Sequence, residues 1–142
     1  MNLTIFDRPA GIYISQLQLE DAESLLSLRL RNRIAHQQFE PRHDEEFYTL
    51  QGQQQLLERR TIEALQDKAY MFGIYLLDGR LIGQITISNI VRGVGQFADI
   101  GYLIDHEVQA KGYMTAAVGL ILQFAFRSLG LHRVQAAILV HN

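Results

Sequence analysis

Residues 97–140 constrain the fold of this chain more than any other segment. Phe97–Ile104 alternates, with Ala98, Ile100, Tyr102 and Ile104 on one face, as a half-buried strand does. Gly112–Leu129 then repeats apolar residues at helical spacing, at Met114, Ala117, Val118, Ile121, Leu122, Ala125 and Leu129. Gly130 ends that helix and Leu131 follows, the order of a Schellman cap with its apolar contact. Arg133–Val140 is strand-like again. Strand, helix and strand joined by short connections predict two parallel strands in one sheet.

The remaining elements add antiparallel neighbours. Gly11–Leu19 reads as a strand whose apolar phase shifts between Ile14 and Leu17, which predicts a bulge. Glu20–Arg33 reads as a helix, acidic at its start and basic at its end, in the order that suits the helix dipole. Its apolar stripe is Ala22, Leu25, Leu26 and Leu30. His36–Gly52 is irregular and rich in charge and aromatics. Gln53–Asp67 returns to helix, with Leu57, Thr61, Ala64 and Leu65 on one side. Tyr70–Leu77 and Leu81–Val91 flank Asp78-Gly79, which predicts a hairpin with a type I′ turn. In the second arm Leu81, Gly83, Ile85 and Ile87 share one face, and Ile82, Gln84, Thr86 and Ser88 the other. The expected order is β-α-α-β-β-β-α-β, an α/β (α+β) chain with a mixed, mostly antiparallel central sheet flanked by helices.

Length and composition fit a single domain, 1–142. At 142 residues, 48% hydrophobic and 20% charged, the chain can bury a core without staples. The net charge of −2 offers no field to attract nucleic acid. There is no cysteine, hence no disulfide, no thiolate nucleophile and no Cys-based zinc site. His36, His106, His132 and His141 show no metal-ligand spacing, so no metal is expected. Met1–Gly11 lacks a signal-peptide pattern, and Ala116–Phe126 is far short of the ~20 apolar residues of a spanning helix. These readings predict a cytoplasmic location, with no membrane and no direct nucleic-acid partner.

Chemistry concentrates in the connection Asp105–Met114. A helix N-terminus presents unpaired N–H groups and the positive end of a dipole, and anions bind there. Gly112 lets backbone approach a ligand, and Lys111 adds charge. Together they predict a diphosphate site. No Walker-type motif and no Gly-x-Gly-x-x-Gly is present, which disfavours nucleotide hydrolysis and dinucleotide redox chemistry.

The stretch Ala98–Val118 (ADIGYLIDHEVQAKGYMTAAV) resembles the GNAT superfamily of acyl-CoA-dependent N-acetyltransferases, which carry Gln/Arg-x-x-Gly-x-Gly/Ala at this place. Gln109-Ala-Lys-Gly112-Tyr-Met114 matches the first two fixed positions and departs at Met114. Gly-Tyr-Met-Thr is familiar among the ribosomal-protein-alanine (RimJ/RimL) type, and Phe39-Glu-Pro41, Asp44–Gly52 and Leu129–Val134 resemble further stretches of that type. The resemblance implies the GNAT fold and acetyl-CoA as co-substrate. It also implies that backbone amides of Gln109, Ala110, Lys111, Gly112, Tyr113 and Met114 bind the pyrophosphate. Gly101–Asp105 would pair with the pantetheine arm, and a backbone N–H near Leu103 or Ile104 would polarise the thioester carbonyl. Asn142 would lie beside the carrier's arm.

In that family the amine attacks the thioester directly. An α-amine, with a pKa of roughly 7.7–8.0, is already about a tenth neutral at pH 7, whereas a lysine near ~10.4 is not. A weak base then suffices for an N-terminal acceptor. Candidate bases are Asp99 and Glu107, with Glu40 and His43 also available; Glu40, His43 and Tyr48 are candidates for contact with the acceptor. Tyr48, Phe47 and Phe39 could line its pocket or pack under the loop, while Arg31/Arg33 and Arg59-Arg60 read as solvated helix faces. The resemblance implies a protein N-terminus, such as that of a ribosomal protein, as the expected acceptor; the alternatives are a small amine (polyamine, amino acid or antibiotic) or a non-catalytic acyl-CoA-binding module. The family continues past the Asn142 position with a helix and two strands, so the chain reads as C-terminally incomplete. Its last strand then has an edge for a partner to cover, and a homodimer is one such assembly.

Overall fold

The structure is a computed structural model that describes residues 3–38 and 40–136. Phe39, Asn142, His141 and the last four residues of the strand expected over Arg133–Val140 lie outside the described residues.

Six strands form one sheet in the order of the chain: β1 Thr4–Asp7, β2 Ile12–Gln16, β3 Tyr70–Leu76, β4 Leu81–Val91, β5 Phe97–Ile104 and β6 Arg133–Ala136. Neighbours are antiparallel except β5 and β6, which are parallel, with Phe97 opposite Arg133 and Asp99 opposite Gln135. The expected crossover is therefore present, and its helix is α4, Tyr113–Gln123, which widens into a π turn over Phe124–Ser128. α1 (Ala22–Arg31), α2 (Arg33–His36) and α3 (Leu50–Leu65) separate β2 from β3. β1 is additional to the expected order. Its four residues alternate between exposed and half-buried, which leaves almost no hydrophobic signal.

Two cores hold the layers together. On one sheet face Ile12, Ile14, Phe72, Ile74, Ile85, Ile87, Ala98 and Ile100 pack with Ala117, Leu120, Ile121 and Phe124 of the α4 segment. On the other, Leu17, Met71 and Leu81 pack with Ala22, Leu25, Leu28 and Leu57 of α1 and α3. Burial of a large aliphatic side chain contributes about 1.5–3 kcal/mol, so the two faces together outweigh any single polar contact described below.

The sheet corrects several expectations. β2 shows no bulge: Ile12 and Ile14 face one core, and Leu17, an odd number of residues on, faces the other. The irregularity lies instead in β4, where the register slips between Ile74 and Tyr75. That slip sends Ile82 into the α4-side core and Leu81 into the α1-side core, the reverse of strict alternation. The Asp78-Gly79 turn is not type I′. Among its residues only Gly79 takes positive φ (+95°), and the Gly79 N–H donates to the Leu76 carbonyl at 2.9 Å, so Leu77-Asp78-Gly79 form a three-residue loop. One glycine in the left-handed region spares Asp78 the steric cost of entering it. In α1 the buried stripe is Ala22, Leu25, Leu28 and Arg29, with Leu30 turned to solvent; in α3 it is Gln53 and Leu57, with Leu65 exposed. Beyond α4, Gly130 (φ +69°) caps the helix and Leu131 is buried. The Leu131 N–H reaches back to the Ala125 carbonyl, one residue further than in a Schellman closure, as the π turn requires.

Candidate carrier loop and acceptor face

The connection from β5 to α4 begins at Asp105, a fully buried carboxylate. Its N–H donates to the Ile82 carbonyl at 2.7 Å, and one carboxylate oxygen accepts the Glu107 N–H at 3.0 Å. The other oxygen accepts from Arg31 through Nε (3.2 Å) and an η nitrogen (3.0 Å). Burial pushes the Asp105 carboxyl upward in pKa, but the Glu107 N–H, the Arg31 guanidinium and the Asn32 side chain together hold it below the usual carboxylate range. Next to it, Asn32 interrupts the helix between α1 and α2, donates to the Leu28 carbonyl and accepts the His106 N–H at 2.8 Å. The start of the loop is thus stitched to the α1–α2 junction. Arg31 stays on the exposed face of α1, and a buried acid more than seventy positions away holds it there.

Beyond Val108, which is buried, the backbone changes hand twice. Ala110 takes φ +63°, Lys111 returns to negative φ, and Gly112 takes φ +80° as the N-cap of α4. Alternating hands turn successive N–H groups toward one concavity, an anion-binding nest. No side chain caps the helix, and among the described residues no hydrogen bond engages the N–H groups of Gln109 to Thr115. Lys111 is exposed and forms no ion pair among the described residues. A pocket of about 160 Å³ lies here, lined by Ile104, Val108, Gln109, Ala110, Gly112, Tyr113 and Met114. The arrangement can bind an anion against backbone amides, and it brings Gln109, Ala110, Gly112, Tyr113 and Met114 together with Ile104, while Lys111 does not line the pocket. Leu103 lies next to Ile104 on β5, half-buried.

The other candidates divide into three places. Asp99 lies on β5, half-buried, on the sheet face opposite Ala98 and Ile100, and accepts from Asn89 Nδ2 (3.0 Å) and Gln135 Nε2 (2.9 Å). Glu107 is exposed and paired with Arg80 at 2.9 Å. Glu40, His43 and Tyr48 do come together in one cluster. Both Glu40 oxygens accept from buried Arg29, at 2.7 and 2.8 Å, and His43 Nε2 lies 3.4 Å from Glu40. His43 stacks on Phe47 at 3.7 Å, and Tyr48 meets Phe47 edge-on under the Arg33 guanidinium. Arg33 also pairs with Glu45. Aromatic packing under the loop is therefore what Phe47 and Tyr48 do here.

His36 is a residue that sequence reading left without a role. It is buried, and its Nε2–H donates to the Ile104 carbonyl at 2.8 Å, pinning α2 to the end of β5. Burial lowers its pKa, so the ring is neutral with the proton on Nε2. No spacing in the sequence signals this bond, because its partner is a backbone atom 68 positions away.

Among the described residues no group of His, Cys, Asp or Glu is placed to hold a metal ion, and no helix is long and apolar enough to cross a membrane. The family model described as an acetyltransferase (GNAT) domain matches residues 12–142. Over 132 residues the chain is 38% identical to the "Probable N-acetyltransferase YjcK" of Bacillus subtilis (strain 168), covering 92% of this chain and 73% of that protein. Over 123 residues it is 31% identical to the ribosomal protein uS5-alanine N-acetyltransferase of Escherichia coli (strain K12), covering 86% of this chain and 63% of that one. The solved structure of Mycobacterium smegmatis RimJ in complex with CoA-disulfide matches with a TM-score of 0.87 at 28% identity, over 94% of this chain and 66% of that chain. With the sheet of the described residues, its parallel pair β5 and β6 and the uncapped helix N-terminus between them, these matches show that the chain belongs to the GNAT family of acyl-CoA-dependent N-acetyltransferases.

Proposed function

We propose that this chain passes the acetyl group of acetyl-CoA directly to the α-amine at a protein N-terminus, as a ribosomal-protein acetyltransferase does. The observation that carries the reading is the run Ala110-Lys111-Gly112, whose φ values alternate in sign ahead of α4 and leave the N–H groups at the uncapped helix start free for an anion. In this reading the amides of Gln109–Met114 hold the pyrophosphate. The arm follows the end of β5, and a backbone N–H near Leu103 or Ile104 receives the thioester oxygen. Asn142 would meet the arm. The protein N-terminus as acceptor is supported by the named activity of the uS5-alanine relative. The cytoplasm, where ribosomal proteins are made, is the compartment this reading implies.

Asp99 is the base of choice. Glu107 is engaged by Arg80, and Glu40 by Arg29, whereas Asp99 has no cationic partner among the described residues. It lies four residues before Leu103 on the same face, roughly 13 Å along the strand, so it reaches the reacting amine through water rather than the thioester itself. The step balances as follows. The acceptor ammonium gives one proton to the Asp99 carboxylate, and the freed lone pair attacks the thioester carbon. The N–C bond forms and the C–S bond breaks. The thiolate takes the second proton from the amide nitrogen, and Asp99 releases the first to solvent.

Incubation with acetyl-CoA, peptides with free or blocked N-termini, and spermidine tests the acceptor. Transfer to the free peptides alone is expected. Transfer to spermidine but not to peptides would reassign the chain to small amines.

A further inference from the structure

β4 does not run straight past Asp99. Ser88 pairs with Asp99 and Val91 with Phe97, so Asn89 and Ile90 together oppose the single residue Ala98. Asn89 sits at φ +53°, in the left-handed region. Strict alternation would place its side chain on the face away from Asp99. The bulge returns it to the Asp99 face, where Nδ2 donates to Asp99 Oδ2 at 3.0 Å. From the opposite neighbour, Gln135, directly across the parallel ladder, donates Nε2 to Asp99 Oδ1 at 2.9 Å. Each carboxylate oxygen therefore holds one amide N–H, and each amide is oriented by its nitrogen, so that its own oxygen remains an acceptor. No cation neutralises the group among the described residues. A fixed carboxylate flanked by two carbonyl oxygens orders water, which donates to these acceptors and relays a proton from an ammonium beyond it.

We propose that Asn89 and Gln135 are positioning residues that hold the Asp99 carboxylate to take up, through water, the proton that the acceptor's primary ammonium gives up, and that the β4 bulge is the device that aims Asn89. The proposal rests on the acetyl-transfer reading above. Two amides that merely tied β4 to β6 would need no anion between them and no left-handed residue in the strand.

The test is a double-mutant cycle on the protein, with Asn89→Gly, Asp99→Asn and the pair. Glycine keeps the left-handed backbone and removes only the amide. Expected is a fall of about tenfold in kcat/KM for the amine in Asn89→Gly, with the acetyl-CoA Kd unchanged and a larger fall in Asp99→Asn. The pair should be no worse than Asp99→Asn alone, because the amide acts through the carboxylate. Gln135→Met should repeat the Asn89→Gly result. Losses that multiply in the pair, or an unchanged kcat/KM in Asn89→Gly beside a lowered Tm, would overturn the proposal and leave Asn89 a structural tie. Wild-type protein that binds no acetyl-CoA and transfers nothing would overturn the acetyltransferase reading and this proposal together. Intact wild-type transfer with an unaffected Asn89→Gly would remove the proposal alone.

Discussion

Arg31 and Asp105 lie 74 positions apart and meet through two hydrogen bonds, at 3.2 and 3.0 Å, on a carboxylate with no solvent exposure. The pair joins the end of α1 to the first residue of the carrier loop. Arg31 keeps about a third of its surface in water, so removing the acid does not strand a buried cation. Asp105→Ala should therefore lower stability by about 2–3 kcal/mol, the scale of charge-assisted hydrogen bonds. Asp105→Asn, which keeps an acceptor for the Glu107 N–H, should cost less. Because the folded pKa of Asp105 is depressed, its contribution is present above the unfolded value of about 3.9 and fades as pH falls through the folded one. Urea unfolding between pH 3 and 7 checks both claims; equal pH slopes for wild type and Asp105→Asn would contradict them.

His36 acts in the opposite sense at a higher pH. The folded protein buries it neutral, with Arg29, Glu40 and Asp105 around it, whereas the unfolded chain takes a proton at about 6.5. Below that value the unfolded state binds more protons, so stability should fall as pH drops from about 6.5 toward the folded pKa. His36→Gln retains an Nε2 donor for the Ile104 carbonyl and removes the titration. Its stability should be flatter over the same range, and an unchanged slope would show that another group titrates there.

Two glycines separate backbone strain from carrier binding. Gly112 and Gly130 both take positive φ, at +80° and +69°, and a Cβ at either would meet no atom within 4 Å. Alanine at each should cost about 1–2 kcal/mol from conformation alone. Only Gly112 lies in the carrier loop. Gly112→Ala should weaken acetyl-CoA binding more than tenfold, while Gly130→Ala leaves it unchanged; matched losses of affinity would remove the special role of Gly112.

Glu40 and Glu45 pair with arginines only four positions apart, Arg29 and Arg33, whose surroundings differ. Arg29 is buried, so Glu40→Gln leaves an uncompensated charge and should destabilise by about 3 kcal/mol. Arg33 is half-exposed and Glu45 is open to water, and Glu45→Gln should change thermal stability by no measurable amount. Equal Tm values for the two variants would show that the Arg29–Glu40 pair contributes nothing to folding.

How far the sequence disclosed this molecule depends on how local the signal was. β4 and β5 have the expected bounds, because alternation over eight or more residues leaves little choice. Gly112 and Gly130 stand at the ends of their helix for the same local reason. What escaped was set by contacts between distant positions. Arg29, Arg31 and Arg33 look alike as basic residues near a helix end, yet one is buried on Glu40, one holds Asp105 and one holds Glu45. The β4 slip that exchanges Leu81 and Ile82 is a property of the β3–β4 pairing, and Asn89 reaches Asp99 only because a second bulge turns it. The loop Gln109–Met114 stood out in the sequence as a candidate anion site, whereas the contacts beneath it, through Asn32, His36 and Asp105, did not.

The most direct measurement is a calorimetric titration of the 142-residue chain with acetyl-CoA, with dephosphorylated pantetheine as control. Saturable binding that requires the pyrophosphate, and that Gly112→Ala weakens more than tenfold, is the predicted result. A folded chain that binds acetyl-CoA and pantetheine equally well, or neither, would contradict the assignment of Gln109–Met114 as the pyrophosphate loop.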